Sequence, residues 1–139
     1  MTKIIQFILL VIMLATFSSV AIANVSFYDE AIKMYKEKKY DDAKFLFERN
    51  IVYNPKNVES YLYLAKIYNQ KEEQNKEEQN LDTVLLLEPS NEEAILMSMK
   101  IALKKSNYSK VKSLSKTFVK VCKKLCNEND SIKESLKNI

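Results

Sequence analysis

The chain has 139 residues, a net charge of +4, 47% hydrophobic and 29% charged residues, and no Gly, His or Trp. Average usage would place roughly ten glycines in this length, so Gly-rich phosphate loops, dinucleotide GxGxxG turns and Asn-Gly or Asp-Gly hairpins are excluded. Zero His removes His-based triads and His-ligated metal sites, and Arg49 is the one guanidinium among 22 basic residues, which argues against bidentate phosphate clamps.

Residues 1–23 read as a secretory signal. Lys3 supplies the positive start, Ile4 to Phe17 form an apolar run broken by Gln6 and Thr16, and Ala21-Ile22-Ala23 is the pattern that a signal peptidase accepts. The alternative is an N-terminal membrane anchor, since Ile4 to Ala23 is just long enough to span a bilayer. Either way the chain is expected to be exported, with the bacterial periplasm as its compartment. From Asn24 onward there is length for one small domain.

Beyond residue 24 the apolar residues recur at three and four, which predicts helices over 26–37, 41–53, 58–70, 75–88, 92–104 and 108–126. A short helix over 132–138 is opened by Ser131, with Glu134 completing a capping box. Strand signals are absent. With no Gly to end helices in the left-handed conformation, Asn54, Asn57, Asn69, Asn91 and Asn127 are expected at the helix ends. Pro55 and Pro89 oppose continuation past the second and fourth helices.

The two prolines lie 34 residues apart, and the same step superposes the segments around them. It carries Tyr53 to Leu87, Ile51 to Leu85, Phe47 to Leu81, Met34 to Tyr68, Ala31 to Ala65 and Phe27 to Tyr61. A further step places Ile95 under Tyr61, Met99 under Ala65 and Ala102 under Tyr68, and two steps carry Tyr40 to Tyr108. This pattern resembles the tetratricopeptide repeat (TPR), a helical hairpin of 34 residues. Its matching positions are Phe27, Ala31, Tyr40, Ala43, Phe47 and Pro55, then Tyr61, Leu64, Ala65, Tyr68, Leu81, Leu85 and Pro89, then Ile95, Ala102, Tyr108 and Val119. Departures are Glu30 for the usual Leu, Glu77 for Ala, Ser115 for a large aromatic, and Lys123 where a third proline would stand.

The resemblance implies an all-α, right-handed superhelical stack of about three hairpins, with repeats near 24–57, 58–91 and 92–125 and a capping helix or tail over 127–139. A hairpin cannot bury its own apolar face, so stacking supplies the core and the last helices close it. Met99 stands where Ala31 and Ala65 make close contacts, so the third repeat is expected to be the loosest. The resemblance further implies a protein adaptor that binds a partner peptide or helix on the concave face. By position that face holds Tyr28, Ile32 and Tyr35, then Leu62, Lys66 and Asn69, then Leu96, Lys100 and Leu103. The family's clamp for a C-terminal carboxylate needs Lys and Asn where Tyr28 and Ile32 stand, so that clamp is not implied. Apolar anchors of an extended or helical segment suit such a groove better.

Charge divides unevenly, with net −5 from Asn24 to Met99 and net +8 from Lys100 to Ile139. Lys112, Lys116, Lys120 and Lys124 recur every four residues and share a face of the predicted sixth helix, open to solvent, to anionic lipid or to an acidic partner. Self-association of an acidic front with a basic tail is the alternative reading of function. Nucleic acid is not expected, given the export signal and the single Arg. Cys122 and Cys126, four apart near a helix end, suggest an intrachain disulfide in an exported protein, for which the helix end would have to loosen; packed free thiols, an intermolecular bond or a redox pair are the alternatives. No metal or cofactor is expected. Neither is catalysis, because the carboxylates cluster on helix surfaces and pairs such as Asp41 and Asp42 read as first-turn helix charge.

Overall fold

The computed structural model describes residues 26–137. Among these residues seven helices follow one another: α1 Phe27–Lys36, α2 Tyr40–Tyr53, α3 Val58–Gln70, α4 Gln74–Leu87, α5 Glu92–Lys104, α6 Tyr108–Val121 and α7 Glu128–Lys137. Among the described residues there is no strand, and no helix is long and apolar enough to cross a membrane. The signal or anchor read over 1–23 lies outside the described residues.

Two boundaries differ from the sequence expectation by more than one residue. The sixth helix stops at Val121 rather than 126, because Cys122 turns to an extended conformation and is joined to Cys126 by a disulfide, with Cα atoms 5.3 Å apart. Lys124 therefore sits beyond the helix, and only Lys112, Lys116 and Lys120 share its face. The last helix starts at Glu128, ahead of the capping box read at Ser131.

Helix ends follow the 34-residue step, but not with the residues expected. The left-handed positions are Lys38, Glu72 and Ser106, with φ of 60°, 58° and 54°. At each, the next residue donates its N–H to the carbonyl five back, Lys39 to Met34, Glu73 to Tyr68 and Asn107 to Ala102, while the left-handed residue itself bonds three back. This is a Schellman turn made three times without Gly. The asparagines serve the opposite end: Asn57, Asn91 and Asn107 accept the N–H of Ser60, Ala94 and Lys110, capping α3, α5 and α6 at their starts. At the other turns Asn54 and Glu88 close α2 and α4 immediately before Pro55 and Pro89.

Each helix packs chiefly on its neighbours in the chain, and α7 folds back onto α5 and α6. Three apolar clusters result, each joining a hairpin to the helix after it. Ala31, Ala43 and Phe47 meet Leu64 and Ile67; Leu62, Ala65, Leu81 and Val84 meet Ala94 and Ile101. The third cluster gathers Ile95, Met99, Ala102, Val111 and Phe118 under Ile132 of α7. Met99 is fully enclosed there, so the position where a small residue was expected is filled from both sides. Burying Ile132 contributes on the order of 2 kcal/mol to holding α7 in place.

Three polar residues that interrupt the apolar pattern find partners across helix boundaries, while the buried Ser98 hydroxyl has none. Asn50 donates to the Ser60 hydroxyl at 2.8 Å and accepts from Asn54 at 3.1 Å. Asn69 donates to buried Glu77 at 3.0 Å, and Ser115 donates to Asn129 at 2.9 Å. A buried polar group left without such a bond costs about 1–3 kcal/mol, so these pairs fix which helices may lie together. Burial holds the Glu77 carboxyl above the usual range, against the opposing pull of the Asn69 bond.

Two outcomes are expected from these features. Glu72→Gly removes the left-handed penalty at an exposed turn and should raise stability by about 0.5–1 kcal/mol in urea unfolding, after the extra backbone entropy of Gly is deducted. Because the folded state disfavours ionised Glu77, stability falls as pH rises from the ordinary glutamate range through its raised pKa. Glu77→Gln, which keeps an acceptor for Asn69, should therefore be more stable than the parent at neutral pH. That advantage should shrink as pH drops below the ordinary glutamate range, in thermal unfolding measured against pH.

Candidate partner-binding groove

The first helices of the three hairpins, α1, α3 and α5, carry the residues assigned to the concave face. Five of them come together around one cavity of about 720 Å³: Tyr35 from α1, Lys66 and Asn69 from α3, and Lys100 and Leu103 from α5. The other four do not. Leu62 is 3% exposed and lines a neighbouring cavity of about 670 Å³. Leu96 is 6% exposed and belongs to the third cluster. Tyr28 and Ile32 pack against the first cluster, and neither lines these two cavities.

Aromatic packing builds the first wall. Tyr63 stacks on Phe47 with ring centroids 5.1 Å apart, and Tyr35 meets Tyr63 edge-on at 4.9 Å and Tyr40 at 5.5 Å. Tyr28 meets Phe47 edge-on at 6.0 Å, extending the same group. Edge-to-face geometry places the positive ring edge on the negative face, which fixes the Tyr35 ring beyond its burial alone. Burial pushes the Tyr35 hydroxyl above its ordinary pKa, with Tyr40, Tyr63 and Glu93 adding to the shift. It stays a neutral donor and acceptor at physiological pH.

Charges divide between the floor and the rim. The Lys66 ammonium lies 2.8 Å from the Glu93 carboxylate and 4.8 Å from the centre of the Tyr63 ring. A cation held between a carboxylate and a ring face is already satisfied, so Lys66 ties α3 to α5 before any partner arrives. Lys100 is more than half exposed and reaches Glu128 of α7 at 3.6 Å, a surface pair of little energetic weight. Asn69 and Glu77 lie side by side in the lining, with Met97 and Leu103 supplying apolar surface. Among the described residues no three His, Cys, Asp or Glu side chains gather as metal ligands would.

Sequence reasoning missed Tyr63, Glu77, Glu93 and Met97. Tyr63 and Met97 carry a signal, since they are related by the 34-residue step and stand one place after Leu62 and Leu96. Those two leucines turn inward, while Met97 lines the groove and Tyr63 backs Tyr35 and Lys66 in its wall. Nothing in the spacing marks Glu93, whose pairing with Lys66 depends on how α5 lies against α3.

The lysine face of α6 stands apart. Lys112, Lys116 and Lys120 are exposed on that helix, and Lys124 is exposed in the loop after it. Lys120, Lys123 and Lys124 line the second cavity together with Glu59, Glu88 and Glu93. There the Glu92 carboxylate accepts the backbone N–H groups of Lys124 and Leu125, both at 3.0 Å. Those amides hold its pKa below the usual carboxylate range. Other basic residues of the C-terminal part are used within the chain, Lys105 and Lys110 on Glu78, the latter at 2.9 Å.

No protein-family profile matches the chain, and no curated protein does. Solved structures do. The TPR domain of Arabidopsis OM64 superposes with a TM-score of 0.69 at 17% identity, covering 81% of this chain and 93% of that one. The Yersinia enterocolitica type III secretion chaperone SycD, in complex with a peptide of the translocator YopD, gives 0.69 at 13% identity over 81% and 88% of the two chains. The first TPR of Spaghetti (RPAP3), bound to the HSP90 peptide SRMEEVD, gives 0.68 at 17% identity over 80% and 90%. The helical hairpins, their 34-residue step and these likenesses agree: the chain has the tetratricopeptide-repeat fold.

Proposed function

We propose that the protein is an interaction adaptor of the cell envelope that holds a segment of a partner protein in the groove between α1, α3 and α5. The observation that carries this reading is the cavity in which Tyr35, Lys66, Asn69, Lys100 and Leu103 converge. It offers apolar surface with a few fixed polar groups, the make-up of a peptide site. Structures of the same fold hold peptides, as SycD and RPAP3 do. A segment here would lie over the second and third repeats, because Tyr28 and Ile32 are spent on packing the first. With those two residues in place of Lys and Asn, the partner is read by its side chains rather than by a terminal carboxylate.

Export is supported by the Lys3 to Ala23 signal pattern and by the Cys122–Cys126 disulfide, a bond favoured in oxidising compartments. Self-association through opposite charges has less to draw on, since Glu78 takes Lys105 and Lys110 and Glu128 takes Lys100 within one chain.

The test is site-specific photocrosslinking in intact cells. A photoreactive phenylalanine at Asn69 or Lys100 should capture a defined partner band, and the same group at Gln79 on α4 should not. Tyr35→Ser with Lys100→Glu, in a chain shown by circular dichroism to keep its fold, should lower capture at Asn69 at least tenfold. Equal capture at Gln79, or undiminished capture in the double variant, puts the binding surface elsewhere. Location is read separately: thiols trapped with a maleimide reagent in acid-quenched cells should find Cys122 and Cys126 blocked. Recovery of the chain in the cytoplasmic fraction with both thiols free would count against export.

A further inference from the structure

In the first two repeats the stop after the second helix is written into the covalent chain. Asn54 and Glu88 precede proline, and a residue before proline is pushed out of the α conformation. The equivalent place in the third repeat is Cys122, with Lys123 after it. Lysine imposes no such bar, and Val111, Leu114, Phe118, Val121 and Leu125 continue at helical spacing past the observed end. Yet α6 ends at Val121, with Cys122 at φ −62° and ψ 140° and bonded to Cys126. The disulfide occupies the place that proline holds in the other repeats.

Two further observations show what that stop controls. In a continued helix the amides of Lys124 and Leu125 would bond to the carbonyls four residues back; here they are held by Glu92. Next, α7 is seated by the Ser115–Asn129 bond, by buried Ile132 and by Glu128 beside Lys100. If α6 ran through residue 126, that residue would stand about 16 Å further along the axis than Ser115. Three residues span at most about 11 Å fully extended, so even with the reach of the two side chains Asn129 could keep Ser115 only if the linker ran almost straight back along α6, which a helix starting at Glu128 leaves little chain to do. A longer α6 and a seated α7 therefore compete for the same residues.

We propose that Cys122–Cys126 is a thiol-exchange site at which a dithiol reductant lifts the third repeat's stop, letting α6 run on and α7 leave its seat. Cys126 is exposed and Cys122 half-buried, so attack falls on the Cys126 sulfur. A thiolate of the reductant forms a mixed disulfide there as the S–S bond breaks, and the Cys122 sulfur leaves as a thiolate that takes up a proton. The reductant's second thiol then attacks its own sulfur in that mixed disulfide and frees Cys126. Two electrons pass from the dithiol, which ends as a disulfide, to the two cysteines, which end as thiols. Departure of α7 removes Glu128 from Lys100 and opens the third-repeat end of the groove, a consequence that rests on the adaptor reading.

The purified, isotope-labelled protein is monitored by NMR with and without dithiothreitol. On reduction the Cα shifts of residues 122–126 should move into the helical range. Amide exchange across Asn129–Ser135 should accelerate at least tenfold, while α1 to α4 stay as they were. Lys123→Pro restores the stop of the other repeats, so its reduced form should keep α7 protected. The proposal is overturned if residues 122–126 stay non-helical on reduction or if α7 keeps its protection. It is equally overturned if reduced Lys123→Pro loses α7 as readily as the parent, for the disulfide would then be a simple tether. None of these signals involves a partner, so they stand or fall apart from the groove.

Discussion

Stacked hairpins share a core only if each presents its apolar face at the same height as the last, so helix length is the constraint on which the array depends. The three second helices, α2, α4 and α6, each run 14 residues. Had one run a turn longer, everything after it would shift by about 5 Å and rotate away from its cluster. Length is enforced at both ends by backbone chemistry rather than by the apolar pattern. Asn side chains start α3, α5 and α6, Schellman turns end α1, α3 and α5, and two prolines and a disulfide close the remainder. Within that frame the apolar residues only have to fill the space.

The polar residues at inward positions have a complementary role. Asn50, Glu77 and Ser115 each stand where the repeat pattern wants an apolar or small side chain, and each is matched by a group on an adjacent element, Ser60, Asn69 and Asn129. A core of Leu and Phe tolerates many neighbours of similar volume. A buried donor and acceptor pair tolerates only the neighbour that completes it. Such pairs therefore specify that α2 lies on α3, α3 on α4 and α6 on α7.

Much of the fold was legible because its signals are periodic: the 34-residue step survives from Phe27 to Tyr108, and apolar spacing alone places six helices. Two things were not. The left-handed turns fall on Lys38, Glu72 and Ser106, residues with no preference for that conformation, which the turn accepts because its hydrogen bonds and the flanking helices dictate the angle. The end of α6 was also hidden, since the apolar series continues through Leu125 and only the covalent bond breaks it. In the groove, the step identifies which helices face the partner but not the rotation of each. Leu62 and Leu96 are buried in the core while Tyr63 and Met97 beside them stay half-exposed at its edge, a difference of one residue that depends on packing. Pairings such as Lys66–Glu93 join separate repeats and leave no trace in local sequence.

Packing between chain neighbours has a kinetic side. Contacts that are close in sequence close quickly, and a chain made of them can order itself from one end without waiting for the other. When the N-terminal part emerges first, α1 and α2 already have each other, and Leu64 and Ile67 complete their cluster as soon as α3 appears. The act that needs the last residues comes at the finish, when Ile132 covers Phe118. Seating α7 is thus the step that completes the third cluster, and everything before it can form without the C-terminal helix.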